Sequence, residues 1–225
     1  GLDNIDTAYA AEKGIPVLNT PGASAISVAE LSIAHMLGVI RFLNLSKADM
    51  TAGKWPKKDY KAGMEVTGKT LGIFGIGTIG REMAKRCLGL GMKVIAYDPF
   101  VTESDMDIEI KSKDDVLAEA DFISMHMPFI KEEGPALAEE EFSKMKDGVV
   151  VINCARGGVI KEKALLDALN NGKVAAAGID VWETEPAGDD QKPLLDHPRV
   201  SVSPHIGAST GEAQTRVSIE IAEKV

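Results

Sequence analysis

Cysteine is nearly absent: the chain has two, Cys87 and Cys154, and neither falls in a C-x-x-C or Cys/His spacing. That argues against a structural zinc or any other metal site, and it favours buried free thiols in a reducing, cytoplasmic setting. Basic residues are also in deficit, 25 Lys and Arg against 34 Asp and Glu, for a formal charge of -9. The lysines are dispersed, so the chain offers no stripe for a phosphate backbone, and nucleic acid is not an expected partner. Nor is there an unbroken apolar run. The most apolar stretch, Ile26 to Leu43, is interrupted by Ser27, Glu30, Ser32, His35 and Gly38 and contains Arg41. It reads as a buried helix, and no membrane association is expected. No charged segment followed by an apolar one opens the chain, so no secretory signal is read. Gly1 is not a natural start, and further sequence upstream is expected. Internal repeats and low-complexity tracts are missing as well.

What is present suits a folded domain with a large core: 225 residues, 44% of them hydrophobic. From Thr70 onward, Val/Ile-rich runs alternate with helical patterns. Strands are expected at 70–75, 93–98, 121–126, 148–153, 174–180 and 199–204, and helices at 78–90, 113–120, 139–145, 162–171 and 211–225. Strands without strict alternation, each followed by a helix, require a parallel sheet covered on both faces, so the fold class is α/β, doubly wound. Before this region the sequence suggests a short strand at 15–19, a Thr-Pro-Gly turn, and one long connector helix from about Ala25 to Thr51. Residues 53–69 show no period and read as a loop.

GIGTIG (75–80) follows a strand and opens a helix, and Asp98 ends the next strand eighteen residues after Gly80. This is the dinucleotide fingerprint in its proper context. Gly75 permits the tight turn, Gly77 a close backbone approach to a pyrophosphate, and Gly80 the packing of helix on strand. N–H groups near Thr78 and Ile79 face the phosphates. Asp98 accepts from ribose hydroxyls and repels a 2′-phosphate, which favours NAD over NADP. Arg156, Asp180, Glu185 and His205 also fall at strand ends, where ligands of open sheets bind. Moving a hydride from a secondary alcohol to nicotinamide needs a base for the hydroxyl proton. His205 suits that role, with Glu185 to orient it, Arg156 to grip a carboxylate or carbonyl, and Asp180 to meet the nicotinamide carboxamide.

GLDNID, GIPVLNTPG, SVAEL, GIGTIG, YDP, HMP, NCARGGVI, GIDVWETEP and SPHIGAST, in this order and spacing, resemble the D-isomer-specific 2-hydroxyacid dehydrogenases along essentially the whole chain. The resemblance implies that Arg156 binds substrate and that Glu185 and His205 form the acid/base pair. It also implies an NAD site lined by Gly75 to Gly80, Asp98, His126, Pro128, the backbone of Cys154, Ala155 and Arg156, Asp180, His205, Gly207 and Ala208. In domain terms it implies that residues 1–24 are a fragment of a flavodoxin-like substrate domain and that 25–207 form a Rossmann-type NAD-binding domain, with 25–52 as connector and dimerisation helix. Residues 208–225 would be a helix returning to the substrate domain. A homodimer or higher assembly is expected.

The wording GASTGEAQ is most similar to the branch of the family that oxidises 3-phosphoglycerate. Another small 2-hydroxy or 2-keto acid such as glyoxylate or hydroxypyruvate is the alternative substrate, and an NAD-sensing corepressor-like scaffold the alternative function. Three residues depart from the family pattern: Ile130 and Glu133, where threonines usually follow HMP, and Lys161, which cannot accept from the N–H groups opening the next helix.

Overall fold

The computed structural model describes all residues except Gly1, Asp3 and Asn4, so part of the GLDNID wording lies outside the described residues. Seven parallel strands form one sheet: β1 (Thr70–Phe74), β2 (Lys93–Tyr97), β3 (Glu109–Ile110), β4 (Phe122–Met125), β5 (Val149–Asn153), β6 (Val174–Ile179) and β7 (Val200–Val202). Their spatial order is β3-β2-β1-β4-β5-β6-β7. The order reverses between β1 and β4, which opens the crevice where doubly wound sheets bind nucleotides.

Nine α-helices are assigned among the described residues: α1 (Thr7–Glu12), α2 (Ala25–Ile40), α3 (Leu43–Thr51), α4 (Thr78–Gly89), α5 (Lys113–Glu119), α6 (Glu139–Lys144), α7 (Glu162–Asn170), α8 (Lys192–Leu195) and α9 (Gly211–Lys224). Every residue of β4 and β5 is buried, as strands covered on both faces must be. One face of the sheet packs a core with α5, α6 and α7, including Leu117, Phe142 and Leu165. The other packs α2 and α4, including Met36, Ile40 and Met83.

Two expectations are corrected. Residues 15–19 form no strand; Ile15 and Leu18 are exposed, and among the described residues no strand of the sheet pairs with this segment. The connector is two helices that meet at a 60° bend. Phe42 sits at the break in the left-handed region, φ 56°, its ring 5.7 Å from Tyr60. The chain turns here because the N–H of Met64, from the following loop, bonds Ile40 O at 3.2 Å and so occupies a carbonyl at the end of α2. The burial of the two helices differs accordingly: nine α2 residues are buried and none in α3. No single described helix is long and apolar enough to cross a membrane.

Candidate active site on the carboxyl edge of the sheet

Each strand from β1 to β7, β3 aside, delivers sequence-predicted residues at its C-terminal end. Across the sheet they run from Asp98 after β2, through Gly75 to Gly80 after β1, His126 and Pro128 after β4, Cys154 to Arg156 after β5 and Asp180 after β6, to His205 after β7. That is five interstrand steps of about 4.8 Å, a row roughly 24 Å long.

The β1 end is a backbone cradle. Gly75 has φ +93°, and a Cβ there would stand 2.6 Å from His126 O. A Cβ on Gly80 would stand 2.1 Å from Gly75 O, so turn and helix can close only with glycine at both places. Gly77 differs: nothing lies within 4 Å of where its Cβ would be. No packing within the protein calls for a glycine there, which fits a residue that keeps space for a ligand. Gly77 is the N-cap of α4, and no side chain caps that helix, so the N–H groups of its first turn, starting at Thr78 and Ile79, face outward to an anion. Asp98 fixes the cradle from the neighbouring strand, accepting from the N–H of Ile76 and of Phe100 at 2.9 Å each. These features fit a dinucleotide.

His126 is held by its ring Nε2, 2.9 Å from Ser124 Oγ, while its buried Nδ1 has no partner. Burial pushes its pKa down to about 4, so the ring is neutral near pH 7. Pro128 is exposed at the rim. The unusual residues after it close a turn in which Glu133 N–H and Gly134 N–H both bond Ile130 O at 3.1 Å. Cys154 and Ala155 are buried, and burial pushes the thiols of both Cys87 and Cys154 up to about 12, leaving neither as a nucleophile. Asn153 shapes the loop that carries Arg156, donating to Arg156 O at 3.0 Å and accepting from Ala155 N–H at 3.1 Å. Arg156 Nη1 donates to Ala155 O at 2.7 Å. Among the described residues no group of three or more His, Cys, Asp or Glu side chains could hold a metal ion.

The β7 end is built from side chains. His205 Nδ1 lies 2.7 Å from Glu185 Oε2, and Glu185 is itself oriented by Trp182 N–H, which donates to Oε1 at 3.1 Å. With Nδ1 engaged, Nε2 is the ring nitrogen left for proton exchange. His205 occupies the left-handed region at φ 56°, a conformation that costs a non-glycine residue and persists only when its surroundings hold it. Asp180 supplies the hold. Its backbone carbonyl accepts from His205 N–H at 2.8 Å, and its carboxylate accepts from the N–H of Ile206 and of Gly207 at 2.8 Å each. Gly207 is buried rather than on the rim; its carbonyl accepts from Ser27 Oγ at 2.6 Å, while Ala208 is exposed. A cleft of about 410 Å³ lies beside the pair, lined by Trp182, Glu185, Pro186, Val202, Pro204 and His205.

The motif reading missed Asn153, Ser203 and His35, which shape these loops from behind. Asn153 and Ser203 had a local signal, their places in NCARGG and SPHIGAST, and His35 had none. At the α7 N-terminus Lys161 indeed provides no cap and instead pairs with Glu139 at 2.7 Å. Glu183 caps the helix in its place, accepting from Glu162 N–H at 2.9 Å while Glu162 Oε1 accepts from Glu183 N–H at 2.6 Å.

The sequence profile described as "D-isomer specific 2-hydroxyacid dehydrogenase, NAD binding domain" matches residues 33–207. The chain is 51% identical to a hydroxypyruvate reductase of Thermotoga maritima, over 100% of this chain and 74% of that protein. It is 45% identical to a D-3-phosphoglycerate dehydrogenase of Archaeoglobus fulgidus, over 100% of this chain but 43% of that protein. Among solved structures, D-lactate dehydrogenase from Aquifex aeolicus complexed with NAD and lactic acid superposes with a TM-score of 0.89 at 33% identity, covering 100% of this chain and 72% of that one.

Proposed function

We propose that this chain, which belongs to the D-isomer specific 2-hydroxyacid dehydrogenases, carries the proton-transfer and cofactor groups for interconverting 3-phosphoglycerate and 3-phosphohydroxypyruvate. The family is one of NAD-dependent oxidoreductases acting on small 2-hydroxy acids, and NAD is the cofactor. The observation that carries the reading is the 2.7 Å contact between His205 and Glu185 at the end of a row that begins with a dinucleotide cradle.

Bound NAD supplies the nicotinamide that accepts or returns a hydride at the substrate's C2. His205 Nε2 takes the hydroxyl proton as the alcohol is oxidised and gives it back as the carbonyl is reduced. Glu185, held by the Trp182 N–H, keeps the imidazole aimed and offsets its positive charge when it holds two protons. Arg156 binds the substrate carboxylate through its guanidinium fork. Asp180 is fully buried with both carboxylate oxygens taken by backbone N–H groups, so it holds the loop rather than the cofactor carboxamide expected from the sequence, and Cys154 to Arg156 line the cofactor with backbone.

The phosphorylated substrate is supported by the wording GASTGEAQ and by the phosphoglycerate dehydrogenase relatives that span the whole chain. A second reading, unphosphorylated hydroxypyruvate, is favoured by the 51% identity to the Thermotoga maritima reductase, of which the chain spans 74%. A panel of hydroxypyruvate, 3-phosphohydroxypyruvate and glyoxylate with NADH separates them in the full-length protein. The first reading expects the highest kcat/KM on the phosphate ester; a preference for hydroxypyruvate overturns it. His205→Ala is expected to lower kcat about 10²- to 10⁴-fold while NADH binding persists. Wild-type turnover in that variant rules out the assignment. A homodimer is supported by Leu43, Met50 and Trp55, which are 59%, 58% and 78% exposed on α3 and the loop after it. Trp55→Glu should then give monomers in sedimentation.

A further inference from the structure

Behind the catalytic loop lies a continuous run of polar side chains that the proposed reaction does not use. Asp180, fully buried, accepts from the Ser203 hydroxyl as well as from the Ile206 and Gly207 N–H groups. Ser203 Oγ meets His35 Nε2 at 2.8 Å, and His35 Nδ1 meets Ser201 Oγ at 2.8 Å. Asn44 Nδ2 of α3 reaches Ser201 Oγ at 3.4 Å. His35 is only 5% exposed. It can reach these serines because α2 lies hard against β6 at Gly178, where a Cβ would stand 2.6 Å from His35 Cβ.

Counting hydrogens sets the direction of the run. A serine hydroxyl has one hydrogen to give. Both Asp180 oxygens already accept backbone N–H groups, so Ser203 gives its hydrogen to Asp180 and accepts from His35. The His35 proton is therefore on Nε2. Burial lowers the His35 pKa, against an opposing pull from Asp180, so the ring is neutral and its bare Nδ1 accepts from Ser201. Ser201 in turn has lone pairs open to the Asn44 amide. All the donors point one way, from α3 through α2 to the loop that holds His205 in its left-handed turn.

We propose that His35 is a positioning residue for His205: through Ser203 and Asp180 it holds the backbone of residues 205–207 in the one conformation that aims the catalytic imidazole at Glu185. The inference rests on the reading of His205 as the proton-transfer group. It is tested in the full-length enzyme, at a temperature where circular dichroism finds each variant folded. His35→Leu and Ser203→Ala are each expected to lower kcat about 10-fold, with the KM for the keto acid and the Kd for NADH held within about twofold. The double variant should lose no more than the worse single one, because both changes cut the same run. His35→Gln, whose amide can still donate to Ser203, should recover most of the loss.

A lowered melting temperature with unchanged kcat, or losses that simply add, overturns the proposal. Should His35→Leu fail to fold, ¹⁵N resonances of the imidazoles in the wild-type protein decide: a proton on Nε2 of His35 supports the run, and one on Nδ1 refutes it. His205→Ala measured alongside keeps the two ideas apart. Full activity there defeats the catalytic reading, whereas lost activity there with an unaffected His35→Leu defeats only the role of His35.

Discussion

The two ends of the sheet edge are built by different means. Between β2 and β4 the surface offered to a ligand is backbone, shaped by Gly75, Gly77 and Gly80 and fixed by one carboxylate, Asp98. Beyond β5 it is side chain: Glu185 on His205, Asp180 under their loop, and Ser203 and His35 behind it. A backbone cradle is specified within a few consecutive residues: only glycine meets the dihedral at Gly75 and the close contacts at Gly75 and Gly80, while Gly77 leaves space for a ligand. A side-chain constellation is assembled from residues 20 to 168 positions apart, and each pair exists only once the sheet has formed.

Substitutions within the cradle test that distinction most strongly. Gly75→Ala puts a Cβ at φ +93° and 2.6 Å from His126 O, both intolerable to a packed turn. It should cost about 3 kcal/mol or more and abolish NADH binding along with the fold around β1. Gly77→Ala, by contrast, meets nothing within 4 Å. Its melting temperature should stay within about 2 °C of the parent, while NADH affinity falls about 10-fold or more, because the added methyl occupies space kept for the cofactor. Thermal melts and NADH fluorescence titrations on both variants give the answer. If Gly77→Ala melts as early as Gly75→Ala, the cradle is a packing device and not a ligand surface.

The same distinction explains what could be read from the sequence. Six of the seven strands, the helices between them and the strand-end positions of the site row were legible because Val/Ile runs, glycine spacing and strand-end polar residues are local signals, whereas the two-residue β3 and the short α1 and α8 carry none. Glu185 and His205 could be paired as candidates only because both end on one edge. The contact itself, the left-handed backbone at His205 and the burial of Gly207 depend on Asp180 and Ser27, which are distant in sequence. The bend at Phe42 was hidden for a similar reason. Nothing in Ile40 to Leu43 breaks a helix locally, and the occupant of Ile40 O comes from a loop more than twenty residues on. Lys161 was read correctly as a poor cap, but Glu183, which replaces it, lies beyond β6.

Acid should act on the cofactor end through His126, whose Nδ1 is buried without a partner. His126 has a folded-state pKa of about 4 against an ordinary 6.5. Above pH 6.5 its neutral form costs nothing. As pH falls below 6.5 the unfolded chain takes up a proton that the folded ring refuses, and stability declines until pH about 4. The loss from this one group is about 3 kcal/mol at that point. His35 and His197 are shifted in the same direction, also chiefly by burial, and add to the trend. Urea midpoints from pH 7 to pH 4 should therefore fall more steeply for the parent than for His126→Gln. Parallel curves would mean that this ring is protonated in the folded protein.

The smallest expected effect concerns the start of α7, between the two ends. An uncapped helix leaves its first N–H groups without partners, and supplying one acceptor stabilises by about 1 kcal/mol. Glu183 is that acceptor, and its exchange with Glu162 ties the helix to the chain just before Glu185. Burial raises the Glu162 pKa, and the nearby Glu183 charge adds to the rise, so the contact brings two carboxylates together at some electrostatic cost. Glu183→Ala removes the acceptor but also the like charge, and Glu183→Gln keeps an acceptor while removing the charge. If the cap dominates, Glu183→Ala lowers the melting temperature by about 2–4 °C and Glu183→Gln leaves it level or higher. If repulsion dominates, both variants melt higher than the parent, and the reciprocal cap then serves to place the Glu185 segment rather than to stabilise α7.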